Sequence, residues 1–273
     1  SLKEGLTVFR DQEFSSDLNS RSVKRITCVK NLRGQQFPED QGPMAHPVMP
    51  ASYIKMDNFY TMTVYEKGAE LVRMIHQLIG ENDFQKGIEL YFKTFDGMAV
   101  TISDFVGVME KASGKELKQF KLWYFQSGTP TITMTRSYLP ELEQLEITFQ
   151  QKTLPDRNQK IKKPLHIPIN FGILDPEGKD ITPVDKRLLE LRKEKETFIF
   201  TNIPENSLPS IFRQFSAPVK IKSDFTDGEL SFLMANDTDE FSRWDAAQTL
   251  FVNEIKQIVC AIQDQNELSV STN

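Results

Sequence analysis

The sequence predicts an α+β chain of more than one domain: a helical first region, a small β-sandwich, and the start of a second helical region. Three observations carry this. Apolar residues recur with a helical period up to about residue 130. After Ser127-Gly128-Thr129-Pro130 they alternate with period two. Beyond Asp227-Gly228 the helical period returns. At 273 residues the chain exceeds a typical single domain.

In the first region, residues 1–16 place Leu2, Leu6 and Phe9 on one stripe, while Glu4, Val8 and Asp11 share another face. Residues 32–58 hold Gly34, Gly42, Pro38, Pro43, Pro47 and Pro50, which predicts an irregular loop. Val64, Leu71, Val72, Ile75, Leu78 and Ile79 predict a helix closed by Gly80. A third helix carries Phe84, Ile88, Tyr91, Phe92 and Phe95 and ends near Asp96-Gly97. A fourth is capped by Thr101 or Ser103 and runs to Gly114; a fifth holds Leu117, Phe120, Trp123 and Tyr124. In the second region, strands are predicted around Leu145, Ile147 and Phe149, around Ile167, Ile169, Phe171 and Ile173, around Phe198, Phe200 and Ile203, and around Val219 and Ile221. Asp175-Pro176-Glu177-Gly178 reads as a turn. In the third, Thr238 or Asp239 caps a helix with Phe241, Trp244, Phe251, Ile255, Ile258 and Ile262 on one face, more than such a short segment can bury alone. The tail, residues 266–273, is polar and weakly patterned.

Composition excludes several functions. A net charge of -5 argues against nucleic acid, whose binding rests on Lys and Arg neutralising phosphates. No apolar stretch is long enough for a membrane span. Cys28 and Cys260 stand far apart with no CxxC, which fits a reducing compartment. His46, His76 and His166 include no pair at helical spacing and no HExxH, so three unrelated histidines are expected. GxSxG and phosphate-cradling glycine motifs are lacking. The runs Lys160-Ile161-Lys162-Lys163 and Arg192-Lys193-Glu194-Lys195-Glu196 read as solvated ends and loops. Ser1-Leu2-Lys3-Glu4-Gly5 has no initiator methionine and no apolar leader, and reads as the interior of a longer chain.

Two segments draw attention. In Lys3-Glu4-Gly5-Leu6, a carboxylate beside a glycine can be approached closely by neighbouring backbone, although composition alone favours an exposed helix acid. In Asn58-Phe59-Tyr60-Thr61-Met62-Thr63-Val64-Tyr65-Glu66-Lys67-Gly68-Ala69, Tyr60 and Tyr65 enter an apolar helix, where a tyrosine is usually a core residue with its hydroxyl at the rim.

These segments resemble a known family. Residues 1–14 resemble the stretch of M1 gluzincin aminopeptidases that carries the third zinc ligand, and Val64-Tyr65-Glu66-Lys67-Gly68-Ala69 resembles their catalytic-tyrosine stretch. Pro43-Met44-Ala45-His46-Pro47, Trp123-Tyr124 with Gln126-Ser127-Gly128-Thr129-Pro130, and Phe241-Ser242-Arg243-Trp244-Asp245-Ala246-Ala247-Gln248 look like the bacterial alanyl aminopeptidase branch. The resemblance implies the helical half of a thermolysin-like catalytic domain over residues 1–129, a β-sandwich domain over 130–226, and the first helices of an α-helical domain over 227–273. It implies a zinc enzyme that removes N-terminal residues, alanine-type by preference, from peptides with a free N-terminus in a bacterial cytoplasm. Glu4 is the implied zinc ligand and Tyr65 the implied donor to the oxyanion; Asp11, Tyr60 and Glu66 are implied second-shell or substrate-side groups. Asp57 stands where the family pattern leads one to expect an amide. The HExxH histidines, the general-base glutamate and the Gly-x-Met-x-Asn strand of the family have no counterpart in this sequence and are expected ahead of Ser1. The chain alone is therefore expected to hold no zinc and to be inactive, with the preceding part of the same protein as its partner. The competing reading is a non-catalytic helical and β-sandwich interaction module descended from such an enzyme.

Overall fold

A computed structural model describes residues 1–52 and 54–264. The polar tail read in the sequence lies outside the described residues. The first region is a stack of helices: α1 (Leu2–Leu18), α2 (Arg21–Asn31), a π turn (Leu32–Gln36) leading into α3 (Phe37–Gln41), a second π turn (Thr63–Lys67) leading into α4 (Gly68–Ile79), then α5 (Glu81–Phe95), α6 (Ile102–Ser113) and the short α7 (Leu122–Phe125). The predicted stops hold: Gly80 and Gly114 end α4 and α6 at positive φ, and Thr101 forms a capping box with Asp104. α4 is buried along most of its length, with Leu71, Val72, Met74, Ile75 and Leu78 in the core.

Two expectations need correction. Residues 32–41 are helical, not loop. Pro38 sits in the first turn of α3, directly after the π turn, and Gly34 has open space beside it within that turn. The fifth helix shrinks to residues 122–125; Leu117 and Phe120 reach the core from turns.

Gly128, at φ 94°, and Pro130 hand the chain to the sandwich. One sheet has the order β5-β2-β1-β7, from β1 (Thr131–Leu139), β2 (Gln144–Lys152), β5 (Lys195–Phe200) and β7 (Lys220–Lys222). The other has the order β4-β3-β6, from β3 (Ile167–Leu174), β4 (Leu188–Leu191) and β6 (Leu208–Ile211). β7 lies parallel to β1, and the other pairs are antiparallel. Leu145, Ile147 and Phe149 face the interior as the alternation required, and Phe171 stacks on Phe200 with ring centroids 4.9 Å apart. Ile203 is buried just beyond β5.

The third region comprises α8 (Asp227–Asn236), capped by Thr226, and α9 (Glu240–Gln263), capped by Asp239. Phe241 is buried, but Phe251, Ile255 and Ile262 are exposed, so that apolar face is uncovered here.

Buried polar contacts join the regions. Trp123 Nε1 donates to the His166 carbonyl at 2.8 Å. Arg25, on α2, grips Glu70 of α4 through both carboxylate oxygens at 2.7 and 2.6 Å, and donates to the carbonyls of Gln214 and Phe215 at 2.8 Å each. Burial alone would raise the Glu70 pKa, yet Arg25 holds it below the usual value. Lys162 departs from the solvated run read in the sequence: its ammonium is buried against Asp156, at 2.6 Å, and the Ser127 carbonyl, at 2.8 Å.

Candidate active site

The site forms where α1 crosses the start of α4. A Cβ built on Gly5 would stand 2.7 Å from the carbonyl carbon and 2.8 Å from the carbonyl oxygen of Gly68. A Cβ on Gly68 would lie 3.3 Å from the Gly5 Cα. Gly5 must be glycine for the two backbones to touch, and Gly68 leaves little room for more, so the sequence signal of a carboxylate beside a glycine has a definite meaning. It brings the first turn of α1, with Glu4, against the π turn that carries Tyr65.

Glu4 is buried, contrary to the bland reading of an exposed helix acid. The Lys3 ammonium stands 3.3 Å from the Glu4 carboxylate. Lys3 is exposed; its hydrogen bond to Glu4 raises its pKa, and the nearby Tyr60 and Tyr65 phenols add to the shift. Lys3 was not singled out in the sequence, because an exposed lysine carries no periodic signal.

Tyr65 is half-buried, and its ring centroid lies 6.3 Å from that of Tyr60. Tyr60 is half exposed, not a core residue. Glu66 is half-buried on the other side of the π turn and accepts from Gln12 Nε2 at 3.4 Å; burial first, then Glu70, pushes its carboxyl above the usual value. Asp11 lies two turns along α1 from Glu4, exposed, with Lys24 Nζ 3.8 Å away. Asp57 is exposed in a single 3-10 turn (Met56–Phe59).

The histidines stay apart, as expected. His46 contacts the Pro47 carbonyl, His76 the Glu81 carboxylate at 2.6 Å, and the buried His166 the Glu190 carboxylate at 2.8 Å. A zinc ion needs three or four converging protein ligands. Among the described residues no group of three His, Cys, Asp or Glu could hold a metal ion. The residues present therefore do not fit a zinc centre by themselves; Glu4 offers one carboxylate. A cleft of about 930 Å³ lined by Arg33, Phe37, Lys220, Leu230 and Asp245 opens elsewhere, between α3, β7 and α9. No helix among the described residues is long and apolar enough to cross a membrane.

The order of helices, then a sandwich, then a helix pair is matched along the chain by three family models. Residues 1–124 match the peptidase family M1 domain, 128–224 a domain of unknown function with an Ig-like fold, and 227–273 a domain of unknown function described as ARM repeats. The chain belongs to the M1 peptidase family. It is 50% identical to aminopeptidase N of Escherichia coli and 45% identical to aminopeptidase N of Haemophilus influenzae, in each case over 99% of this chain and 32% of the relative. It superimposes on aminopeptidase A of Legionella pneumophila, solved in complex with aspartic acid, with a TM-score of 0.81 at 29% identity, over 99% of this chain and 29% of that one. The chain thus spans about a third of the length of the curated relatives it matches.

Proposed function

We propose that this chain is about a third of a zinc aminopeptidase that releases N-terminal residues, alanine-type by preference, from peptides in a bacterial cytoplasm. The observation that carries the reading is the Gly5–Gly68 contact, which sets Glu4 and the Tyr65 turn side by side. In this reading the Tyr65 phenol, a hydrogen-bond donor at neutral pH, donates to the oxygen of the scissile carbonyl as water adds and negative charge develops there. Glu4 serves as one carboxylate ligand of the metal, the others being supplied from outside the chain's described residues. Tyr60 flanks the substrate side of Tyr65, while Glu66 and Asp11 set the charge behind the turn. The alternative of a non-catalytic module gives no reason for a buried carboxylate beside a half-buried phenol.

The test uses the full-length protein. Tyr65→Phe should lower kcat on alanine anilides by about 100–1,000-fold, the usual cost of one oxyanion donor, with zinc content unchanged. Glu4→Gln should lose metal as well as turnover. Near-normal turnover in Tyr65→Phe removes its role.

A further inference from the structure

Tyr65 sits at the middle of a five-residue π turn, Thr63–Lys67, and both ends of that turn are held by neighbouring residues of one helix. At the front, Thr63 is buried, and its backbone N–H, at 2.8 Å, and its hydroxyl, at 2.5 Å, both donate to Glu39 Oε1. Gln36 Nε2 donates to the same hydroxyl at 3.2 Å. At the back, Lys67 is buried over the Trp123 ring and donates to Asp40 Oδ2 at 2.7 Å and to the Gly128 carbonyl at 3.2 Å. Asp40 is itself buried and also accepts from Gly128 N at 2.8 Å and from the Thr129 hydroxyl at 3.1 Å.

A π turn has poorer backbone geometry than an α-helix, recurs at functional sites, and needs its surroundings to fix it. Nothing about Glu39 or Asp40 requires them to be buried for α3 to form; a five-residue helix forms as readily with both facing water. Their carboxylates are instead spent on the two ends of the turn that carries the phenol. Consecutive helical residues project about 100° apart, so one reaches Thr63 while the other reaches Lys67.

We propose that Glu39 and Asp40 are positioning residues for Tyr65, clamping the π turn so that the phenol is held at the angle its hydrogen bond to substrate requires. This rests on the reading of Tyr65 given above. Neither residue touches substrate; each acts through Thr63 or Lys67.

The experiment is a double-mutant cycle in the full-length protein, read as kcat and KM on an alanine anilide. Thr63→Val keeps the shape and removes the hydroxyl. It should lower kcat by on the order of 100-fold, the scale of a misplacement near 1 Å, with KM little changed. Thr63→Ser should recover most of the loss. In a Tyr65→Phe background, Thr63→Val should cost nothing more, because the clamp acts only through the phenol. If Thr63→Val does not fold, Glu39→Ala against the acceptor-preserving Glu39→Gln makes the same comparison. A Thr63→Val enzyme with unchanged kcat beside an impaired Tyr65→Phe overturns the clamp and leaves the role of Tyr65 standing. Losses that multiply in the double variant also overturn it. Full turnover in Tyr65→Phe overturns the reading of the phenol and the clamp with it.

Discussion

Replacing Gly5 by alanine tests the backbone contact on which the site is built. The added methyl would meet the Gly68 carbonyl carbon at 2.7 Å and its oxygen at 2.8 Å. Carbon atoms in ordinary contact stand about 3.5–4.0 Å apart, so α1 and the head of α4 must separate by roughly 0.8 Å or more. No flexible side chain can absorb this, because the obstructing atoms are backbone. Overpacking of this kind costs about 1–3 kcal/mol, offset by the roughly 0.5–1 kcal/mol that alanine gains over glycine within a helix. The net destabilisation is about 0–2.5 kcal/mol, and the catalytic loss is the larger effect. A shift near 1 Å between Glu4 and the Tyr65 turn should lower kcat/KM by on the order of 100-fold. Gly68→Ala should be milder, since its methyl meets the Gly5 Cα at 3.3 Å and the Val48 side chain at 3.7 Å. Gly34→Ala is the control, since a Cβ there meets nothing within 4 Å. The assay is steady-state hydrolysis of an alanine anilide beside thermal unfolding of the same full-length preparations. If Gly5→Ala matches Gly34→Ala in both, the helix crossing does not set the site.

The buried junction gives two further expectations. Glu70→Ala strands the Arg25 guanidinium between two carbonyls and should cost about 3–5 kcal/mol in denaturant unfolding, while adding Arg25→Met should restore part of it; a Glu70→Ala protein as stable as the parent refutes the pair as a lock. Asp180 is held down to about 2 because the Thr182 hydroxyl and Arg213, 2.6 Å away, outweigh the burial that would raise it. A depressed folded-state value contributes stability that is complete above the unfolded value near 3.9 and is lost as pH falls through 2, so acid titration should remove about 2 kcal/mol over that window, and Asp180→Asn should flatten that part of the curve.

Much of this architecture is written in periodicity, and the exceptions have two causes, buried charge and misleading loop signals. Helices α5 and α6 were legible from apolar spacing and glycine stops, and the sandwich from the alternation at Leu145, Ile147 and Phe149. α2 was not legible, because its buried face carries Arg25 and Cys28 beside Val29, and a charged residue in the core breaks the apolar pattern. α3 was hidden by Pro38 and the glycines on either side, which mark loops more often than the start of a helix. The same failure hid half of the site. Glu4 and Tyr65 were reached through resemblance to a family, but Glu39, Asp40 and Lys67 have the look of surface charge until the fold shows where each partner stands.

That pattern has a physical consequence for how the domains depend on one another. Asp40 binds Lys67 in the Tyr65 turn and also the backbone of Gly128 and the hydroxyl of Thr129, where the chain leaves the helical region for β1. A buried carboxylate with these partners cannot release one set without leaving a buried charge or polar group short of a partner, which is costly. The entry to the sandwich and the turn that carries the phenol therefore share one polar anchor. Loosening the first strand of the sandwich should disturb the site through Asp40, whereas truncating exposed residues of α9 such as Phe251 or Ile255 removes no partner of that anchor.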